Sequence, residues 1–171
     1  MMPSYRTATG ADAATLADLG RRTFTETFGH LYSAENRAAF LATHNEEGWR
    51  EQLEDPSFTV RIAEAEGEAV AYAKLAPPSL PFAPRGPSLE LRQFYVLKPW
   101  HGQGISHELM RWTIAQAKTR GAADLYLSVF VDNHRARRFY DNHGFEFVGV
   151  YAFMVGSHAD EDHVMRLALE N

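Results

Sequence analysis

The chain has 171 residues, 45% hydrophobic and 12% aromatic, a composition that predicts one domain over residues 1–171 and excludes a disordered chain. It contains no cysteine, which excludes disulfides, thiolate metal sites and a cysteine nucleophile and fits a reducing cytoplasm. Because it has 17 basic and 22 acidic residues and no apolar run near the ~20 residues of a membrane span, we expect a cytoplasmic protein that binds neither nucleic acid nor membrane.

One short strand and three helices are predicted before Pro56. Residues 5–8 alternate weakly between polar and apolar side chains and predict the strand. The first helix ends at Gly29, and its apolar residues recur at helical spacing: Leu16, Leu19, Phe24 and Phe28. Ser33 indicates the N-cap of a second helix, which extends to about His44, and residues 46–53 predict a short third helix.

Three strands and one long loop are predicted over the next part of the chain. Residues 58–65 and 68–75 read as two antiparallel strands joined by a hairpin turn at Gly67. Residues 77–87 contain five prolines, which exclude a regular helix or a central strand, so this segment is expected to be a loop. Residues 89–97 then predict the central strand. Because side chains alternate along a strand, Glu90, Arg92, Phe94 and Val96 are expected to share one face.

The remaining elements alternate between helix and strand. A helix is predicted over residues 105–120, a strand buried on both faces over 124–131, and a second helix between Asn133 and Gly144. Residues 145–153, with a break at Gly149, and residues 164–169 predict two more strands, which a polar turn over residues 156–162 connects. The pattern indicates an α+β domain whose mixed sheet has helices on both sides.

Two glycines lie between the central strand and the helix that follows it. Gly102 and Gly104 allow the backbone to approach a ligand without a side chain between them. The first N–H groups of a helix lack intrahelical partners and carry partial positive charge, so a strand, a glycine turn and a helix together form an anion-binding arrangement. Such turns are also common as tight connections alone, and this alternative stays open for the glycine pair by itself.

A second motif follows the buried strand. Its pattern is Asn-x-x-Ala-x-x-Phe-Tyr-x-x-x-Gly-Phe, and the sequence matches every defined position, with Asn133, Ala136, Phe139, Tyr140, Gly144 and Phe145. The glycine loop and this motif, in this order, resemble the GNAT superfamily of acyl-CoA-dependent N-acyltransferases. The phosphate loop of that family reads Gln/Arg-x-x-Gly-x-Gly/Ala. Here His101 stands at its first position and Ser106 at its last, whereas the central glycine, Gly104, matches.

The resemblance implies a single GNAT-like α+β domain with a mixed, mostly antiparallel sheet of about seven strands. It implies acetyl-CoA as cosubstrate and no metal. Backbone amides of the loop would hold the pyrophosphate: His101, Gly102, Gln103, Gly104, Ile105 and Ser106. The pantetheine chain would pair with the backbone of the central strand at Phe94, Tyr95 and Val96. Asn133 is implied as a further contact to CoA, for which the alternative is a plain helix N-cap. Arg135, Arg137 and Arg138 could also reach the CoA phosphates or lie on a solvated helix face, and Arg138 is the one assigned to CoA.

The resemblance also implies the catalytic roles. Tyr140 corresponds to the general acid that protonates the leaving thiolate of CoA, and the alternative is a packed aromatic residue. A free alkylamine has a pKa near ~10.4 and arrives protonated, so a base is needed. Glu90 is the candidate base, because it precedes Phe94 on the expected face and some family members carry a glutamate nearby. The alternative is a carboxylate paired with Arg92 or a lysine.

Two other groups of residues have ordinary alternatives. Histidine and acidic residues cluster between His158 and His163, but they lack a recognised metal spacing and are expected to form a solvated turn. In the GNAT pattern the first helical region borders the acceptor site. Four aromatic residues there could line a pocket or belong to the core: Phe24, Phe28, Tyr32 and Trp49.

The acceptor is expected to be a primary amine of a small molecule. The N-terminal region, the glycine loop and the C-terminal residues resemble a bacterial branch that includes polyamine (spermidine/spermine) acetyltransferases. Acidic residues could attract such a polycation: Glu26, Glu35, Asp160 and Asp162. The alternatives are acetylation of a protein N-terminus or lysine, and a non-catalytic acyl-CoA-binding module. Family members are often dimers, so a homodimer is a further expectation.

Overall fold

The computed structural model describes residues 2–42 and 45–169 and arranges them around one sheet. Its strands are β1 (Ser4–Thr7), β2 (Thr59–Ala65), β3 (Glu68–Ala76), β4 (Ser88–Val96), β5 (Asp124–Phe130), β6 (Glu146–Val155) and β7 (His158–Ala168). They lie in the order β1-β2-β3-β4-β5-β7-β6, and each neighbouring pair is antiparallel except β4 with β5. The predicted α+β fold with a mixed, mostly antiparallel sheet of seven strands is confirmed.

The described residues form five α-helices: α1 (Ala13–Phe28), α2 (Ala34–Ala42), α3 (Glu46–Glu54), α4 (Ile105–Thr119) and α5 (His134–Asn142). All five agree with the predicted helices within a few residues, and the predicted end of the second one at His44 lies outside the described residues. Within residues 2–42 and 45–169, no helix has the length and apolar character needed to cross a membrane.

Helices cover both faces of the sheet. The ring of Tyr72 on β3 packs against Trp49 of α3, with 5.4 Å between the ring centroids. The next residue, Ala73, pairs with Arg61 on β2, whose guanidinium lies 5.8 Å from the ring of Trp112 in α4. Because successive residues of a strand point to opposite faces, α3 and α4 lie on opposite sides of the sheet.

Helices α1 and α5 follow the same division. Gly20 of α1 lies against the hydroxyl of Tyr72, so α1 shares a face with α3. Phe94 on β4 pairs with Ala73 and contacts Phe139 of α5, with ring centroids 5.8 Å apart, so α5 shares a face with α4. We call these the α1/α3 face and the α4/α5 face of the sheet.

A bulge in β4 changes the predicted face of Glu90. Two consecutive residues of β3 pair with residues of β4 that lie two apart, which makes Arg92 an extra residue in the strand. Glu90 pairs with Ala76, which is four residues from Tyr72 and therefore on the α1/α3 face. The prediction that Glu90 and Phe94 share a face is wrong, because one additional residue reverses the alternation.

The last strand begins earlier than predicted. Only Gly156 and Ser157 form the turn after β6, and β7 starts at His158 rather than at residue 164. Asp160 and Asp162 pair with residues of β6 and are buried, so the predicted solvated turn is wrong. The acidic side chains hid this part of the strand, because a sequence pattern treats them as exposed.

The two parallel strands separate soon after they meet. β4 and β5 pair only from Ser88 to Glu90 and from Asp124 to Tyr126. Beyond these residues β5 continues to pair with β7, while β4 continues to pair with β3. The sheet therefore opens between the C-terminal halves of β4 and β5.

The proline-rich loop is fastened where this opening begins. Arg85 donates from Nε and Nη2 to the two carboxylate oxygens of Asp124, both at 2.9 Å. The Asp124 side chain is only 3% exposed, and its hydrogen bonds with Arg85 hold the pKa of that carboxyl below its usual range. The pair thus fixes the loop to the first residue of β5.

We expect Arg85→Ala to destabilise the protein at pH 7, because the buried carboxylate of Asp124 loses its charged partner, a loss that costs about 1–3 kcal/mol. Because the pKa of Asp124 is lower in the folded than in the unfolded protein, the stability it contributes is fully present above the unfolded pKa, near ~3.9, and is lost as the pH falls through the folded pKa. Urea unfolding should therefore show a smaller difference in stability between the wild type and the variant at pH 3 than at pH 7. Equal differences at both pH values would contradict this account, and Arg85→Lys should retain part of the stability.

Candidate active site

A cleft of about 240 Å³ occupies the opening between β4 and β5. Its walls are the C-terminal half of β4, residues 128–130 of β5, one side of α5, and aromatic residues of α1. Among the predicted site residues, seven line it: Phe94, Tyr95, Val96, His101, Ser106, Asn133 and Tyr140. The structure thus brings the central strand, the glycine loop and the second motif together at one cleft.

The glycine loop has the backbone form that a bound anion requires. Gly102 and Gly104 have φ angles of 77° and 84°, in the left-handed region that favours glycine. Residues 101–104 are exposed, whereas Ile105, the first residue of α4, is fully buried and anchors the start of the helix in the core. The exposed loop and the first turn of α4 can therefore offer N–H groups to a phosphate.

His101 connects two walls of the cleft. Its Nε2 lies 2.8 Å from the carbonyl oxygen of Val96, and its Nδ1 is hydrogen-bonded to the guanidinium of Arg135. A carbonyl only accepts and a guanidinium only donates, so these contacts assign the neutral tautomer with the proton on Nε2. The departure from the family pattern at this position thus joins the end of β4 to α5.

The side of α5 that faces the cleft carries Asn133, Arg135 and Tyr140. Asn133 Oδ1 accepts a hydrogen bond from the N–H of Ala136 at 3.3 Å, so this residue caps the helix and also lines the cleft. Arg138 is exposed and lies outside the lining. The sequence singled out Arg138, whereas Arg135 has the position from which a side chain reaches the cleft; nothing in the spacing of these arginines distinguished the two.

Tyr140 is the most enclosed polar residue on this side. It is 7% exposed, and its ring contacts Phe94, Phe139 and Phe145 at centroid distances of 6.3, 5.6 and 5.7 Å. Burial, and to a smaller extent the nearby Tyr95, raise the pKa of the Tyr140 hydroxyl. The hydroxyl therefore stays protonated at neutral pH and can act as a proton donor.

Glu90 lies in a second cavity of about 270 Å³ on the α1/α3 face. Its Oε1 accepts hydrogen bonds from Ser79, at 2.6 Å from the backbone N and 2.9 Å from Oγ. Arg92 instead donates to the carbonyl of Pro77, and none of the ion pairs within residues 2–42 and 45–169 involves Glu90. Lys74 lines the same cavity, and burial lowers its pKa to about 7.

The α1/α3 side of the main cleft is aromatic. Phe24, Phe28 and Tyr32 line it, whereas Trp49 packs in the core and borders the second cavity. The hydroxyl of Tyr32 donates a hydrogen bond to Asp160, which also lies 3.0 Å from Nε2 of His158. Three of the four aromatic residues considered from the sequence thus border this end of the cleft.

Asp162 also lines the cleft, although the sequence patterns did not identify it as a catalytic residue. It is 6% exposed, and burial together with the charge of Asp160 raises its pKa to about 7, against a hydrogen bond with Ser128 that lowers it. One sequence pattern could have identified it: Asp160, Asp162 and Val164 are alternate residues, and alternate residues of a strand share a face, here the buried face of β7. Within the described part of the chain, no group of three potential metal ligands lies together.

Comparisons with known proteins agree on one family. The model of the acetyltransferase (GNAT) family matches residues 19–145. The chain is similar to an uncharacterized N-acetyltransferase of Mycobacterium tuberculosis, with 34% identity over 157 residues that cover 90% of this chain and 96% of the relative.

Two solved structures are similar along nearly the whole chain. One is the PaiA N-acetyltransferase of Thermoplasma acidophilum in complex with coenzyme A, with a TM-score of 0.78 and 18% identity, covering 98% of this chain and 99% of the other. The second is a ribosomal-protein-alanine N-acetyltransferase of Brucella melitensis, with a TM-score of 0.68 and 27% identity, covering 97% and 99%.

Proposed function

Because the chain belongs to the GNAT family of acetyltransferases, we propose that it transfers the acetyl group of acetyl-CoA to a primary amine of a small molecule. Acetyl-CoA-dependent N-acetyltransferase activity follows from the family, and the acceptor class is the proposal. The amine attacks the thioester directly, and the chain has no cysteine that could carry an acyl group between donor and acceptor.

The observation that carries this proposal is the set of contacts that surrounds the cleft at its end on the α1/α3 face. Phe28 of α1 contacts Phe130 of β5, with ring centroids 6.1 Å apart. Asn36 of α2 accepts a hydrogen bond from the N–H of Ser157 at 3.1 Å, which fastens α2 to the turn between β6 and β7. Contacts of this kind around the acceptor end favour a compact acceptor over an extended peptide, which needs an open groove.

The acidic residues at this end support a cationic acceptor. Asp160 and Asp162 are both buried, and both line the cleft. Carboxylates attract an ammonium group most strongly where water is excluded. A polyamine is therefore the acceptor we propose within the class of primary amines.

The residues of the opposite face are assigned to the donor. The loop from His101 to Ser106 binds the pyrophosphate, and the backbone of residues 94–96 receives the pantetheine chain where β5 leaves β4 unpaired. Asn133 and Arg135 contact the donor from α5, and Arg138 remains a candidate for an exposed phosphate. Tyr140 protonates the leaving sulfur.

A second acceptor, the α-amine of a protein N-terminus, is favoured by one comparison. The Brucella melitensis structure, whose name gives a ribosomal-protein alanine as its acceptor, is 27% identical to this chain. An α-amine has a pKa of about 7.7–8.0, far below the ~10.4 of an alkylamine, so the two acceptors also differ in how much they need a base.

The test mixes the purified protein and acetyl-CoA with polyamines, monoamines, amino acids and short peptides and follows the release of free thiol. Because the protein has no cysteine, a thiol reagent reports CoA alone. Release that depends on polyamines or small amines supports the proposal, and release that depends only on peptides supports the second acceptor. Binding of acetyl-CoA without release under any amine would contradict both and would indicate an acyl-CoA-binding module.

A further inference from the structure

We propose that Asp162 is the general base that takes a proton from the ammonium group of the acceptor. This inference rests on the proposed function above and adds the group that makes the amine nucleophilic. The sequence predicts a solvated turn at Asp162 and favours Glu90 for the same task, so the structure moves this role to a different carboxyl.

The position of Asp162 in the sheet carries the proposal. Asp162 on β7 pairs with Phe130 of β5, and Phe130 contacts Phe28 of α1, so the carboxyl lies on the α1/α3 face. Tyr140 contacts Phe94 and lies on the α4/α5 face. Both residues line the same cleft, which passes through the sheet where β4 and β5 separate. An acceptor approaching from one face and a donor held on the other would meet between them.

The surroundings of Asp162 favour an incoming cation. Asp162 is 6% exposed, and none of the ion pairs within residues 2–42 and 45–169 involves it. The titratable groups around it are Asp160 on its own strand, Tyr32 after α1, Tyr95 on β4 and the register partner Tyr151 on β6, and β5 contributes the hydroxyl of Ser128. Arg92 and Arg135 also line the cleft, but Arg92 donates to the carbonyl of Pro77, Arg135 contacts His101, and neither forms an ion pair with Asp162. The ammonium of the acceptor would therefore supply the positive charge that Asp162 lacks.

The charge of Asp160 sets the proton affinity of its neighbour. Asp160 is itself engaged by Tyr32 and His158, and its negative charge raises the pKa of Asp162, as burial does more strongly. A base with a pKa of about 7 is half ionised at neutral pH and holds an accepted proton well. Asp160 is thus a positioning residue that tunes the base.

The reaction moves protons through residues on both faces of the sheet. The Asp162 carboxylate takes one proton from the ammonium, and the neutral nitrogen attacks the thioester carbonyl, which forms the C–N bond. As the tetrahedral intermediate collapses, the C–S bond breaks and Tyr140 gives its proton to the sulfur. The second nitrogen proton returns to Tyr140, directly or through water, and Asp162 releases its proton to solvent.

Glu90 is less suited to this task. It lies where β4 and β5 still pair, opposite Tyr126, and its Oε1 is held by Ser79 in the second cavity. Ser128 lines both cavities, so the second cavity could receive the far end of a long acceptor. A carboxylate already bound to a loop would position that loop rather than move a proton.

The test compares the pH dependence of kcat/KM for the wild type, Asp162→Asn, Asp160→Asn and Glu90→Gln, with an alkylamine acceptor. The wild type should show an acidic limb that levels off near pH 7, and Asp162→Asn should lose this levelling and be roughly 10²–10⁴-fold slower at pH 7. The variant acts only on neutral amine, so its rate should rise tenfold per pH unit and approach the wild type near the amine pKa. Asp160→Asn should move the acidic limb to lower pH, and Glu90→Gln should retain it.

Two further measurements separate the ways in which this proposal can fail. The loss in Asp162→Asn should be smaller for an α-amine, of which at least about half is already neutral near pH 8, and the acetyl-CoA Kd should not change. A wild type that turns over, together with an Asp162→Asn variant whose kcat/KM still levels off near pH 7, would overturn the base while leaving the proposed function intact. A wild type that releases no thiol with any amine would contradict the proposed function and the base together.

Discussion

Tyr140→Phe is expected to lower kcat by roughly 10²–10⁴-fold and to leave the acetyl-CoA Kd nearly unchanged. The substitution removes one oxygen and keeps the ring that packs against Phe94, Phe139 and Phe145. Because burial raises the pKa of the Tyr140 hydroxyl, the proton is present through the neutral range and would be lost only in strong base. Steady-state kinetics and calorimetric titration with acetyl-CoA would measure the two effects separately.

Tyr126→Phe is the matched control for this prediction. Tyr126 is also a buried tyrosine, 4% exposed, but it lies on β5 where the two parallel strands still pair, outside both cavities. Its loss of a hydroxyl should change stability without a comparable fall in kcat. If Tyr140→Phe and Tyr126→Phe gave the same kcat, Tyr140 would be a packed aromatic residue and the proton would have to come from water.

Local patterns predicted the donor side of the site. The glycines at 102 and 104 require positive φ, the helix after them starts at the expected residue, and the second motif places Tyr140 about two helical turns after its cap, Asn133. These features depend on residues close in the chain, where backbone conformation and helical period decide the geometry. The sequence therefore sufficed to predict the backbone form of the loop and the position of Tyr140 on α5, and their roles toward the donor remain proposals.

The acceptor side depends on strand register, which local patterns do not define. The extra residue at Arg92 moved Glu90 to the face opposite Phe94, and no residue type marks a bulge with certainty. Asp160 and Asp162 belong to β7, although the composition of this segment predicted a turn. The prediction was wrong because acidic residues are rarely buried, whereas both of these are buried. The departures from local rules thus concentrate at the end of the cleft where the acceptor is proposed to bind.

The role of His101 could not be predicted from the sequence for a different reason. The family pattern places Gln or Arg at this position, and no neighbour in the sequence explains a histidine there. In the structure its two ring nitrogens bond to Val96 and Arg135, and the Arg135 contact, 34 residues away along the chain, forms only once the cleft has formed. The side chain helps to organise the loop, so the departure from the pattern is compatible with donor binding.

Gly104→Glu is expected to weaken acetyl-CoA binding by at least about 100-fold. Gly104 precedes α4 with φ at 84°, and none of the described atoms lies within 4 Å of the point that a Cβ would occupy, so the new side chain would extend over the exposed loop. A carboxylate about 5 Å from a phosphate charge costs about 3 kcal/mol at an effective dielectric constant of 20, which corresponds to roughly 100-fold. It would also oppose the partial positive charge at the start of the helix. Calorimetric titration with acetyl-CoA and with CoA would measure the loss.

Gly121→Glu separates this effect from strain and from charge. Gly121 has φ at 83° and equally open surroundings, but it lies at the opposite end of α4. Both variants add one negative charge and force a glutamate into the left-handed region, at a cost of about 1–2 kcal/mol, so their melting temperatures should fall alike. Only Gly104→Glu should lose acetyl-CoA, because only that end of the helix presents free N–H groups to the phosphates. Equal binding by the two variants would mean that the pyrophosphate lies elsewhere, and the donor would then have to enter the opening between β4 and β5 without this loop.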